Sequence, residues 1–350
     1  MNTSIHQRLR LVIAICVGAG VGASVQAQTL AADFVANYTV TDLGSIAGLP
    51  ALYGGLTFAN NNTLLIGGNA NDEPGRIYSV AIVRDSANRI TGFSGTASLY
   101  RGPASMIGEY NDGGVVFGPA GVLFTSRWPV NQLGETKPGS TDEDKVIDMA
   151  ALGIAGSHAA LNFVPGGFSG AGEVKMVSWG GGEWYSGTLT PDGFGTFDLT
   201  GVSRIDLDAS TPAVEGLPGG PEGFTYVSGL NPNFGVNSML LSEFSAGKVA
   251  VYSMDGDGNP ILSSRRSFLD GLEGAEGATL DPLTGDFLFS TYGGGDRLVL
   301  VSGFTQPPPP PVPEPSTWAL MLAGLLSALL FVRRRAAGHR GPVRERSSYA

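Results

Sequence analysis

Cysteine is almost missing from this chain: of its 350 residues one is a cysteine, Cys16. It sits in an apolar run near the N-terminus, so the rest of the chain has no disulfide framework, no thiol nucleophile and no thiolate metal site. Histidine is nearly as scarce. Of His6, His158 and His339, only His158 lies between the two terminal segments. That excludes multi-histidine metal sites there and leaves little room for a Ser-His-Asp triad. Positive charge is sparse as well. Residues 28–306 carry 13 Lys and Arg against 29 Asp and Glu, a net of −16. A body charged in this way repels nucleic acid and anionic lipid, so neither is expected as its partner. Sustained helical periodicity is also lacking.

The two ends carry address signals. Arg8 and Arg10 precede an apolar run over 11–22, and small residues lead to Val25-Gln26-Ala27. This is the layout of a secretory signal peptide over 1–27, cleaved after Ala27. At the other end, a proline tract over 307–311 runs into Val312-Pro313-Glu314-Pro315. An apolar segment over 318–332 follows, and then Arg333, Arg334 and Arg335. As a helix that segment is roughly 22 Å long against roughly 30 Å of bilayer hydrocarbon, a short span that needs snorkelling arginines or local thinning. Positive charge after it places the tail over 336–350 in the cytoplasm and the body outside.

The ordered motif, helix and arginine cluster resemble the PEP-CTERM sorting signal of exopolysaccharide-producing Gram-negative bacteria. The resemblance covers about the last forty residues. It implies an exported protein held first as an inner-membrane precursor facing the periplasm, then processed by an exosortase-type protease and moved to the cell surface or beyond. Exopolysaccharide and surface proteins are the partners it brings into view.

Between the ends, glycine is abundant, with 53 in the chain. Short runs of Val, Ile, Leu, Phe and Tyr alternate with Gly, Asn, Asp and Pro at spacings of about ten residues, a pattern of all-β architecture. A repeat is visible. Gly220-Pro221-Glu222-Gly223-Phe224-Thr225-Tyr226 matches Gly274-Ala275-Glu276-Gly277-Ala278-Thr279-Leu280. Each is followed by an apolar strand ending in serine (238–242 and 286–290), then by a third strand (248–253 and 297–302). Weaker copies open at Gly54-Gly55-Leu56-Thr57-Phe58, at His158-Ala159-Ala160-Leu161-Asn162 and, least regularly, over 106–110. Fourth strands are expected over 90–100, 146–150, 196–207 and 261–269. The last copy lacks one, and the segment over 38–43 can supply it.

These features predict a five-bladed β-propeller over 33–304, closed by an N-terminal strand. Six blades, or a sandwich or jelly roll, are the alternatives. A proline-rich linker over 305–315 and a transmembrane sorting helix with its arginines over 316–335 complete the plan.

Candidate chemistry follows from the repeat. Glu222 and Glu276 hold the same frame position at the entry to the innermost strand, His158 falls there in the third copy, and Glu109 lies close to it in the second. Converging carboxylates would bind a hard cation such as Ca²⁺, or act as acid and base on a sugar. The Glu-Gly openings are faintly similar to those of six-bladed lactonase-type propellers, which implies metal binding by such a glutamate. No cofactor is otherwise required. Asp255-Gly256-Asp257-Gly258-Asn259 has the alternating oxygens of a calcium loop with Asp255, Asp257 and Asn259 as ligands, but lacks a distal bidentate glutamate and reads equally as a hairpin turn. Trp179, Trp184 and Tyr185 are either a sugar platform or core. The expectation is a surface or matrix binding protein, with a carbohydrate-active or lactonase-like hydrolase using Glu222, Glu276, Glu109 or His158 as the alternative.

Overall fold

The computed structural model describes residues 27–305 apart from Ser157 and Ser169. Residues 1–26 of the leader, the linker from residue 306, the Pro-Glu-Pro motif, the sorting helix, its arginines and the tail lie outside the described residues. Among those described, no helix is long and apolar enough to cross a membrane.

Two early strands, β1 (Thr29–Leu30) and β2 (Thr39–Gly44), join sheets made later in the chain. Blade 1 is β3 (Leu56–Asn60), β4 (Thr63–Gly68), β5 (Arg76–Arg84) and β6 (Ile90–Leu99). Blade 2 is β7 (Asn111–Phe117), β8 (Leu123–Arg127), β9 (Gln132–Thr136) and β10 (Lys145–Asp148). Blade 3 is β11 (His158–Phe163), β12 (Val174–Ser178), β13 (Trp184–Pro191) and β14 (Phe197–Ile205). Blade 4 is β15 (Pro221–Val227), β16 (Ser238–Glu243), β17 (Lys248–Ser253) and β18 (Arg266–Asp270), and blade 5 begins with β19 (Ala275–Leu280), β20 (Phe287–Thr291) and β21 (Leu298–Ser302). Each sheet is an antiparallel meander, and the five make a propeller. Six blades and the sandwich are excluded.

The expected closure is present. β2 pairs with β21 from Thr39 opposite Ser302 to Gly44 opposite Leu298, completing blade 5. Beyond that expectation, β1 adds a fifth strand to blade 4 through Thr29 opposite Asp270 and Leu30 opposite Leu269. The segment between β1 and β2 thus straps blade 4 to blade 5. Blade 2 departs from the expected phase. Its innermost strand is β7, so the stretch over 115–117 belongs to the first strand of that blade and 122–126 to its second.

Apolar clusters fill the seams between adjacent blades, because a four-stranded sheet buries both faces only by stacking on its neighbours. The seam between blades 4 and 5 holds Phe34, Phe268, Phe287 and Phe304 among sixteen buried apolar residues. The seam between blades 1 and 2 holds five, including Leu65, Ile77 and Leu123.

The two ends of the ring differ in use. The innermost strands enter at one end, where Ala275 lies opposite Thr291. β21 leaves from the other, since Ser302 follows Val301, which pairs with Phe287, itself opposite Leu280. The described chain therefore ends on the face opposite the one where the innermost strands begin.

Candidate metal centre

The entry end of the axis is built by a recurring irregularity. On β15, Pro221 pairs with Glu243 and Phe224 with Leu241, so Glu222 and Gly223 together face Ser242. On β19, Glu276 and Gly277 face Ser290 in the same way. On β7 three residues, Asp112, Gly113 and Gly114, face Ser126. Such bulges re-aim side chains that a regular ladder would place alternately on the sheet faces. Serines fasten the bulges of β19 and β7, whereas Ser242 Oγ opposite the β15 bulge makes no hydrogen bond among the described residues. Ser290 Oγ accepts from the Gly277 N–H at 2.9 Å and donates to the Gly54 carbonyl of blade 1 at 2.6 Å. Ser126 Oγ accepts from the Gly114 N–H at 2.8 Å and donates to the Ala159 carbonyl of blade 3 at 2.6 Å.

Glycine is required beside the acids because the inner strands touch backbone to backbone. A Cβ on Gly223 would lie 2.7 Å from the Glu276 carbonyl oxygen, and one on Gly113 would lie 2.7 Å from Glu222 Oε2. The turn into the strand is shared as well. Gly220 and Gly274 stand one residue before β15 and β19 at φ of +69° and +68°, and Tyr110 stands before β7 at +57°. Tyrosine in that left-handed conformation costs about 1–2 kcal/mol; its ring packs 5.7 Å from the Arg127 guanidinium carbon.

Three carboxylates converge here. Oxygen atoms of Asp112, Glu222 and Glu276 all lie within 4.8 Å of one another, and the residues are 2%, 5% and 1% exposed. Burial raises Asp112 to about 7, against hydrogen bonds from Glu276 and Asn71 that lower it. Glu222 is pushed well above the usual carboxylate range by burial and then by the charges of Asp112 and Glu276. Glu276 is raised by burial and by Asp112, to which its protonated form donates a hydrogen bond. The charges that act on the three are one another's, with no cation among them. Glu222 Oε2 and Glu276 Oε1 have no hydrogen-bond partner among the described residues.

Glu222 and Glu276 therefore meet as their shared frame implies, and Asp112 joins them in place of Glu109. Glu109 is half-buried on the rim, where it pairs with Arg76 at 3.5 Å and Arg127 at 3.6 Å. His158 opens β11 opposite Ser178 and is fully buried, and burial lowers its pKa to about 4, so the ring is neutral. It stands outside the carboxylate group. Asp112 escaped the reading of the sequence, although Asp112-Gly113 repeats the acid-glycine pair of Glu222-Gly223 and Glu276-Gly277. That pair was the available signal.

The other candidates have other roles. Asp255 Oδ1 accepts from the N–H groups of Asp257 at 2.9 Å and Asn259 at 2.8 Å, and its Oδ2 accepts from Asn259 Nδ2 at 3.1 Å. Asn259 Oδ1 in turn accepts from Trp184 Nε1 at 3.1 Å. The segment is a hairpin turn docked on a buried tryptophan, with the side chains of Asp255 and Asn259 committed to it. Trp184 and Tyr185 are core residues, whereas Trp179 is 37% exposed.

The set is all oxygen, which suits a hard cation over zinc or copper. Separations of no more than 4.8 Å are within what one hard cation bridges.

Comparison with known proteins bears on the tail. A family model for the PEP-CTERM protein-sorting motif matches residues 311–335. The chain carries a PEP-CTERM sorting motif. The motif implies export by way of a membrane-anchored sorting precursor, and exosortase is the enzyme that recognises it. No curated protein shows significant similarity to the chain. Solved structures share the shape of the body at a low level. An auxiliary nutrient binding protein from Bacteroides ovatus is 14% identical, with 76% of each chain covered and a TM-score of 0.41. A Thermus thermophilus protein described as a putative oxidoreductase (glucose dehydrogenase) is 15% identical, covering 76% of this chain and 100% of that one, at 0.42. Myxococcus xanthus glutaminyl cyclase is 12% identical, covering 77% and 97%, at 0.44. Resemblances of this strength bear on neither ligand nor chemistry.

Proposed function

We propose that this is an exported, surface-displayed binding protein whose propeller holds one Ca²⁺ between Asp112, Glu222 and Glu276. One observation carries the reading: three buried carboxyl groups converge with no basic partner, and two of their oxygens lack any hydrogen bond. Ionising such groups costs several kcal/mol each unless a cation compensates. A divalent ion replaces their protons and uses the vacant oxygens.

The sorting tag supplies the setting. Before processing, the apolar segment over 318–332 anchors the precursor in the inner membrane with the body in the periplasm. An exosortase-type protease then acts at the segment around Pro313, Glu314 and Pro315, and the protein moves to the cell surface or the surrounding polysaccharide. The described chain ends on the face away from the carboxylates, so a tether there leaves the pocket face free.

A carbohydrate-active or lactonase-like hydrolase would also use carboxyl groups of raised pKa. Against it stands the spacing: the oxygens lie within 4.8 Å of one another, closer than the roughly 5–5.5 Å between the two carboxyl groups of a retaining glycosidase.

The test is titration of the intact exported protein at pH 7.5 with Tb³⁺, read by sensitised luminescence, followed by displacement with Ca²⁺. One site is expected, lost in Glu222→Gln and in Glu276→Gln. A wild-type protein that takes up neither ion overturns the reading. Intact-mass measurement of the protein from its host checks the tag: retention of Trp318 and the residues after it rules out processing there.

A further inference from the structure

The second strand of each blade ends on the pocket face, and the next residue repeats in chemistry. Trp128 follows β8, Trp179 follows β12, Phe244 follows β16 and Tyr292 follows β20. Blade 1 has Asn69 there, after β4. On three successive blades the rings form one row. Trp179 and Phe244 meet at 6.4 Å and 77°, and Phe244 and Tyr292 at 6.1 Å and 61°. Each such contact sets the edge of one ring on the face of its neighbour; Phe244 and Tyr292 are half-buried, and Trp179, at the end of the row, is 37% exposed. Tyr292 is the ring nearest the carboxylates: burial raises its pKa, and the charges of Glu276 and Asp112 act in the same direction.

The row is open at one glycine on each flank. Trp179 is followed by Gly180-Gly181-Gly182 and Tyr292 by Gly293-Gly294-Gly295. A Cβ on Gly180 would meet nothing within 4 Å and one on Gly293 only Leu52 Cδ2, at 3.8 Å, whereas Gly181, Gly182, Gly294 and Gly295 are packed against Glu183, Leu217, Glu273 and Arg297. An exposed indole beside a cleared surface, next to a pocket of hydrogen-bonding groups, marks a site for a flat ligand with apolar faces and polar edges. Pyranose rings have that form. The net charge of −16 over residues 28–306 decides among glycans, because it repels polyanions.

We propose that Trp179, Phe244 and Tyr292 form a binding platform for an uncharged pyranose polysaccharide, with the sugar faces stacked on Trp179. The proposal rests on the binding reading above and gives its ligand class; the platform itself does not need the cation.

Affinity electrophoresis of the intact protein in gels containing dextran, hydroxyethyl cellulose or polygalacturonate tests it, with Tb³⁺ luminescence run in parallel. At least one neutral polymer retards the wild type. Trp179→Ala weakens that retardation about tenfold or more and binds Tb³⁺ as the wild type does, which certifies its fold. Phe244→Leu, which keeps the packing but removes one ring, gives a smaller loss. Retardation by polygalacturonate alone, by no polymer, or equally in wild type and Trp179→Ala overturns the platform. Each of these outcomes leaves the cation site to its own Tb³⁺ readout, so the two readings fail separately.

Discussion

The seam between blades 4 and 5 and the seam between blades 1 and 2 do the same job with different chemistry. The first is apolar and aromatic. Phe34 and Phe268 meet at 4.9 Å, and Phe287 and Phe304 at 4.6 Å. Tyr38 donates its hydroxyl proton to the Pro232 carbonyl at 2.7 Å. The second has a small apolar cluster and an ion network instead. Arg127 pairs with Glu143 and Glu109, Arg76 pairs with Glu109, and Thr125 donates to Glu143 at 3.1 Å. Burial lifts Glu143 to about 7, with Arg127 the main opposing influence. The seam that joins strands distant in sequence thus relies on non-directional burial, while the seam between neighbours in sequence tolerates charge. The carboxylate pocket links the two regions, since Asp112 belongs to blade 2 and Glu222 and Glu276 to blades 4 and 5.

Breaking the apolar seam has the largest effect. Phe268→Ala is expected to cost about 3–5 kcal/mol, read from the denaturant midpoint; a loss below about 1 kcal/mol would mean the ring does not depend on this seam.

The pocket comes next. Without a cation the folded protein holds protons on Asp112, Glu222 and Glu276 that the unfolded chain has released. Stability therefore falls as pH rises from the ordinary carboxylate range through about 7, by on the order of a few kcal/mol. Glu143 and Glu135, both raised to about 7 chiefly by burial, act in the same direction. Saturating Ca²⁺ removes the pocket's share of that slope, and Glu276→Gln reduces that share and abolishes the response to Ca²⁺. Melting curves from pH 4.5 to 8, with and without Ca²⁺, give the answer; equal slopes in the two series exclude the cation site.

In the polar seam, Arg127→Met should cost about 1–3 kcal/mol at pH 7.5 and less at pH 5, where Glu143 takes up a proton instead of remaining an unpaired anion. A cost independent of pH would show that Arg127 contributes packing alone. The smallest effect belongs to neither seam: Asp255→Ala loosens the hairpin turn and leaves Tb³⁺ affinity unchanged, since Asp255 serves the backbone.

How much of this was legible depends on the residues in each place. The ring and its closing strand could be read because Glu222 and Glu276 sit in nearly identical frames and the last copy lacked a strand that 38–43 resembles. Blade 2 was misread for two local reasons. Tyr110 occupies the left-handed position that glycine marks in blades 4 and 5, and the bulge carries both Gly113 and Gly114, so the frame slips by a residue. Glu109, the acid nearest the expected position, drew attention from Asp112. β1 has two residues, too few for any periodic signal. Among Trp179, Trp184 and Tyr185, only the phase of the blade decides which ring meets water, and composition does not report phase. The ion network of the polar seam joins residues far enough apart that spacing alone could not pair them.

The pairing of β2 with β21 sets an order of events. Thr39 and Ser302 are partners at opposite extremes of the described chain, so a chain emerging N-terminus first presents its closing strand before any of its propeller partners exists. Contacts this distant in sequence form late and slowly. The ring stays open along one edge until residue 302 has emerged, shortly before the linker and the Pro-Glu-Pro motif. Closure of the ring and emergence of the sorting motif are thus separated by no more than a short stretch of chain.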